Sequence, residues 1–176
     1  MERIIPSAWL TPARCQRVII HWTAGSYRVS GLDRDHYHVV LGGEPGEVVA
    51  VRGRYTPADN DNCVDRKYAM HVRGLNTGSF GLSAACMGGA KQGGPYGQWP
   101  LTPRLFERLA QAAAEVCKAY DLDITERTVL QHGEVQRVYG KPQSGKFDVC
   151  LLPWSPDEHD VPAIFRRKVL WYRANY

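Results

Sequence analysis

The sequence predicts a single α/β domain built on a central mixed β-sheet flanked by helices. Short β-branched runs recur between glycine-rich turns, and one long stretch carries apolar residues at three- and four-residue steps. No repeat, low-complexity tract or interdomain linker divides the 176 residues. A chain of this length buries a core without disulfide or metal staples. The domain is expected to span 1–176, with a motif-bearing core at about 18–153 and a basic C-terminal helix at about 162–174.

Taken in order, the run Arg17-Val18-Ile19-Ile20-His21-Trp22 reads as a buried strand that ends at Gly25-Ser26 and delivers His21 to its end. A second strand is expected over 36–41 and a third over 47–52, antiparallel neighbours joined by the turn-rich Gly42-Gly43-Glu44-Pro45-Gly46. From 55 to 67 the composition turns polar, a surface loop before an apolar strand over 80–87. The loop 91–100 leads to Thr102-Pro103, which reads as an N-cap followed by proline at the first helical position. Leu105, Phe106, Leu109, Ala112, Ala113 and Val116 then form the apolar stripe of an amphipathic helix running to about Tyr120. A short strand over 128–131 presents His132 at its end, as the first presents His21.

Charge is distributed unevenly. The formal net charge is +4, but the segment 163–176 holds four of the 22 basic residues and no acid, so the rest balances at 18 of each sign. A neutral body argues against a nucleic-acid binder, which carries a basic face or stripe. Five cysteines, an odd number without a CxxC pair, do not make a disulfide framework and suit a reducing compartment. The beginning, with Glu2 and Pro6 ahead of any long apolar run, lacks the pattern of a secretory signal. No stretch approaches the roughly 20 apolar residues of a membrane span. Synthesis in the cytoplasm as a soluble monomer is the expectation.

Six histidines mean little by number, since a lone histidine is more often a hydrogen-bonded core or surface residue than a ligand. Position sets two of them apart. Strand ends opening into glycine-rich loops are where open α/β sheets place ligand sites, and His21 and His132 stand at two such ends. In Gln143-Ser144-Gly145-Lys146-Phe147-Asp148, the spacing of Lys146 and Asp148 points both side chains to one side of an extended segment. Two imidazoles and one carboxylate leave a tetrahedral Zn2+ an open fourth position, the arrangement of a catalytic zinc that activates water and polarises a carbonyl. Amide hydrolysis follows naturally, with Lys146 and Tyr37 as candidates to stabilise the oxyanion.

Five ordered runs carry a family resemblance: Val18-Ile19-Ile20-His21-Trp22-Thr23-Ala24-Gly25, Tyr37-His38-Val39-Val40, His71-Val72-Arg73-Gly74-Leu75-Asn76-Thr77-Gly78-Ser79-Phe80-Gly81, His132-Gly133-Glu134-Val135 and Lys146-Phe147-Asp148. In order and rough spacing the chain resembles the zinc-dependent N-acetylmuramoyl-L-alanine amidases, a family that includes phage endolysins and peptidoglycan recognition proteins. The resemblance implies one Zn2+ held by His21, His132 and Asp148, and cleavage of the amide between N-acetylmuramic acid and L-alanine in peptidoglycan. It implies transition-state assistance from Tyr37 and Lys146, the pairing of the short phage enzymes. Other members place a glutamate where Ser83 stands here. His71, Asn76 and Ser79 fall in the motif that borders the substrate groove, with His71 a contact residue and not a ligand.

The chain also departs from that pattern. Many members read Lys-x-Asp-Pro-Gly, whereas this one reads Lys146-Phe147-Asp148-Val149-Cys150. Some phage members use a cysteine as third ligand, so Cys150 stands as the rival of Asp148, which keeps the lysine-plus-two spacing. The reading is a phage or prophage endolysin, made in the host cytoplasm and acting on periplasmic peptidoglycan after release. A non-catalytic peptidoglycan-binding module of the same fold and a cytoplasmic amidase recycling wall fragments are the alternatives.

The remaining features have plainer readings. His36 and His38 are expected on a strand facing away from Tyr37, as core or supporting histidines, and His159 in an acidic surface run. Cys86 and Cys117 read as small hydrophobes. The segment 164–173 reads as a terminal helix packing its apolar side on the domain. Its interleaved basic and aromatic residues also suit contact with an anionic membrane or lipopolysaccharide.

Overall fold

The computed structural model describes residues 2–44 and 47–175. Five strands form one sheet in the order β3-β2-β4-β1-β5: β1 (Arg17–Trp22), β2 (Val39–Gly42), β3 (Val49–Arg52), β4 (Ser79–Ala84) and β5 (Val129–Gln131). Four strands, β2, β4, β1 and β5, run parallel, and β3 pairs antiparallel with β2 at one edge. The mixed sheet expected from the sequence is therefore present. Every residue of β1 and β4 is buried, which is why these strands read as continuous apolar runs and not as alternating ones.

The two faces differ. Val18, Ile20 and Trp22 join the main core under α2 (Pro103–Ala119) and α4 (Val161–Ala174), while Ile19 belongs to a smaller cluster with Val72, Leu130 and Val135 on the opposite face. The Thr102 hydroxyl accepts the Leu105 N–H at 3.2 Å, capping α2 as its sequence predicts. Leu105, Phe106, Leu109 and Val116 are all buried against the sheet or α4, each worth about 1.5–3 kcal/mol of burial. Phe165 of α4 meets Phe106 edge-on at 5.2 Å between ring centroids.

The segment before β2 departs from expectation. The strand expected over 36–41 begins only at Val39, because a short helix, α1 (Gly31–His36), occupies the positions before it. Ser30 and Asp33 cap α1 reciprocally: the Ser30 hydroxyl accepts the Asp33 N–H at 3.1 Å, and the Asp33 carboxylate accepts the Ser30 N–H at 2.8 Å. One turn and a half of helix with no buried residue leaves no periodicity to read. Tyr37 is thus the extended residue joining α1 to β2. Of the hairpin turn, Pro45 and Gly46 lie outside the described residues. The fourth strand ends at Ala84, earlier than the expected 87, and a short helix, α3 (Val135–Tyr139), follows His132.

The C-terminal helix packs as expected, and most of its charge is engaged. Arg166 donates to Glu134 at 2.8 Å and to the Val129 carbonyl at 3.2 Å, Lys168 pairs with Glu107, and Arg173 pairs with Asp121. Arg167, Leu170 and Trp171 remain exposed on the outer side. Among the described residues, no helix is long and apolar enough to cross a membrane.

Candidate metal centre and active site

Because β1 and β5 are adjacent parallel strands with Ile20 opposite Gln131, the next residue of each, His21 and His132, arrives at the same height. Their ring centroids are 4.6 Å apart and their Nδ1 atoms 3.0 Å apart. Asp148 comes from the loop after α3, and its Oδ2 lies 3.2 Å from each Nδ1. All three residues are buried. The loop is held against β5 by the Gly133 N–H, which donates to the Asp148 carbonyl at 2.6 Å.

Burial above all, helped by the neighbouring His132 and opposed by Asp148, lowers His21 to about 4. For Asp148, burial alone would raise the carboxyl, but the facing rings of His132 and His21 hold it well below the usual carboxylate range. A neutral His21 and an ionised Asp148 are the protonation states that metal coordination requires. Three acceptor atoms thus converge on one small volume, where a cation relieves their mutual repulsion. The trio could hold a metal ion. Cys150, the rival third residue, is not in this group. Its sulfur faces Gly133, where an added Cβ would lie only 2.7 Å from it, and burial pushes its thiol up to about 12.

A cavity of about 820 Å³ opens over His132 and Asp148, lined also by Tyr37, His71, Asn76, Lys146 and Phe147 among others. The Tyr37 ring sits 5.1 Å from that of His21. Burial raises its phenol above the usual tyrosine range, and the Asp148 charge adds to this, so it stays a protonated donor. Ser83, opposite His21 on β4, is fully buried beside Tyr37, and its hydroxyl counters part of the rise in the phenol. Lys146 is exposed at the rim.

The three residues expected to touch substrate are placed differently from one another. His71 stands behind His21, its Nδ1 3.0 Å from His21 Nε2. Asn76 lines the cavity, but its side-chain oxygen accepts the backbone N–H groups of His71 and Val72, each at 3.0 Å. Ser79 is buried at the start of β4, bonded to Arg17 and to the Leu75 carbonyl, and does not line the cavity. His38 is a core histidine: it bonds Asn60 at 3.0 Å, and its Nδ1 accepts the Gly81 N–H at 2.8 Å. The sequence reading assigned nothing to Gln143, whose Oε1 lies 2.9 Å from His132 Nε2. A glutamine in an irregular loop gives no periodic signal, so only the folded chain reveals it.

Fold and site together define an α/β domain with a His-His-Asp group that could hold a metal ion, set at the carboxyl ends of parallel strands where such sheets place ligand sites. The N-acetylmuramoyl-L-alanine amidase family model matches residues 11–146, and the chain belongs to that family. The match takes in both histidines and stops two residues short of Asp148. Among solved structures, the fold is similar to that of the Ph2119 endolysin from Thermus scotoductus MAT2119 bacteriophage Ph2119. That pair has a TM-score of 0.51 and 16% identity over 91% of this chain and 88% of the other. The N-acetylmuramoyl-L-alanine amidase LysC from Clostridium intestinale URNW aligns with TM-score 0.46 and 16% identity over 86% and 90% of the two chains. No curated protein sequence matches.

Proposed function

We propose that this peptidoglycan amidase is zinc-dependent and cleaves the amide between the lactyl group of N-acetylmuramic acid and L-alanine, as a phage or prophage endolysin. The observation that carries the reading is the convergence of His21 Nδ1, His132 Nδ1 and Asp148 Oδ2 in a family member's groove. An imidazole and carboxylate donor set suits Zn2+. When bound, the ion would supply an activated water and polarise the scissile carbonyl.

The chain's own residues do the rest. Tyr37 and Lys146 line the same cavity as His132 and Asp148, and each offers a donor to the oxyanion that develops on the carbonyl. The phenol keeps its proton because it is buried beside a carboxylate. Asn76 shapes the groove wall by fixing the backbone of His71 and Val72. A glycan strand with its stem peptide fits an open groove better than an enclosed pocket would. The anionic-surface contact of the tail rests on Arg167 and Trp171, since Arg166, Lys168 and Arg173 have partners within the chain.

The test is to incubate the protein with Gram-negative sacculi, with and without a chelator, and to identify the new ends. New L-alanine amino groups that vanish on chelation support the proposal; new reducing sugars mean a glycosidase and overturn it.

A further inference from the structure

Behind each histidine of the trio lies a hydrogen-bond chain that ends on backbone carbonyls. On one side, His71 Nε2 is 3.2 Å from the Ser79 carbonyl. A carbonyl only accepts, so that nitrogen carries the proton. The His71 ring is buried with no carboxylate hydrogen-bonded to it among the described residues, so in its neutral form Nδ1 is bare and accepts from His21 Nε2 at 3.0 Å. His21 Nδ1 is then left without a proton, facing Asp148. On the other side, Gln143 Nε2 donates to the Arg73 carbonyl at 2.9 Å and to the Lys141 carbonyl at 3.1 Å. Both amide hydrogens are used, so the orientation of the amide is settled. Its Oε1 must accept from His132 Nε2 at 2.9 Å, which in the neutral ring leaves Nδ1 bare as well.

Local sequence makes room for this arrangement. A Cβ on Gly81 would lie 2.7 Å from His71 Cδ2, so glycine at 81 is what allows the His71 ring to stand behind His21. Gln143 is 5% exposed in the loop that also supplies Asp148.

We infer that His71 and Gln143 are positioning residues that set the tautomers of His21 and His132, so that both present a bare Nδ1 before any ion arrives. The inference rests on the metal-centre reading above and assigns His71 a place that a substrate contact would not need. Outer partners of ligating histidines fix ring orientation and raise basicity, and their loss costs about 10–100-fold in metal affinity.

Two pairs of variants test it: His71→Leu against His71→Gln, and Gln143→Met against Gln143→Glu. The first of each pair removes the acceptor, and the second restores one. Zn2+ affinity is read by competition with a chromophoric chelator, and the tautomers from imidazole nitrogen chemical shifts of the metal-free chain. The expected result is affinity about 10–100-fold weaker in His71→Leu and Gln143→Met, with most of it recovered in His71→Gln and Gln143→Glu. In the metal-free wild type, protons should sit on Nε2 of His21 and His132. Equal affinity in the acceptor-less variants, no recovery in the conservative ones, or protons on Nδ1 overturns the inference. Should His71→Leu fail to fold, the Gln143 pair and the wild-type spectra decide. A wild type that binds no zinc would instead overturn the metal centre itself, and its spectra would still read the tautomers.

Discussion

The Gly133 N–H donates to the Asp148 carbonyl at 2.6 Å, so the residue after one metal-site histidine holds the backbone of the carboxylate opposite. This contact needs a bare Cα, because a Cβ at 133 would lie 2.7 Å from Cys150 Sγ and 3.2 Å from Phe147 Cα. Gly133→Ala is expected to lose about 1–3 kcal/mol of stability through overpacking and to weaken zinc binding. Adding Cys150→Ala should recover part of the loss, since the two sites share the clash. Chemical denaturation and chelator competition on the three variants measure both effects.

Asp148 and Cys150 are separated by the same measurement. Asp148→Asn should lower zinc affinity by more than the roughly 100-fold ceiling typical of outer partners, while Cys150→Ala keeps zinc and activity. An inactive, zinc-free Cys150→Ala beside a functional Asp148→Asn would reverse the assignment.

Tyr37→Phe and Lys146→Met should each reduce kcat by about 10²–10³-fold, the cost of one oxyanion donor. Zinc content should stay at wild-type stoichiometry in both. Turnover of a muramyl peptide together with metal analysis distinguishes this from loss of the ion.

Acid should destabilise the fold through its buried histidines. Burial lowers His38 from 6.5 to about 4, with the Asn60 hydrogen bond offsetting part of the shift. The unfolded chain therefore takes up a proton near pH 6.5 that the folded chain refuses until about pH 4. Stability is full above that window and falls as pH drops through it, by up to about 1.4 kcal/mol per pH unit for one histidine. In metal-free protein, His38→Asn should be less stable at pH 7 and show a shallower slope between those values, read from denaturant midpoints.

The C-terminal charges should prove unequal. Glu134 is nearly buried between Arg166 and the exposed Arg137. Arg166→Met is expected to cost about 2–3 kcal/mol, below the 3–5 of an unpaired buried charge because Arg137 still reaches the carboxylate. Arg167→Met should leave stability unchanged. Thermal unfolding of the two variants decides.

Much of this molecule was legible before folding. The β-branched run of β1, the stripe of α2 after Thr102-Pro103, and the two histidines at strand ends all declare themselves locally, because burial on a sheet or one helix face imposes a pattern on neighbouring residues. Helix α1 did not, since six residues with no buried side chain leave no period, and the strand expected from His36 began at Val39 instead. The partners of the site were hidden for another reason. His71 is 50 residues from His21, and Gln143 is 11 from His132 in an irregular loop, so their roles depend on which way rings and amides point. A spacing can name three ligands for one ion. Which carbonyl takes which proton, and so which nitrogen is left bare to meet that ion, is settled only when distant backbone closes around the site.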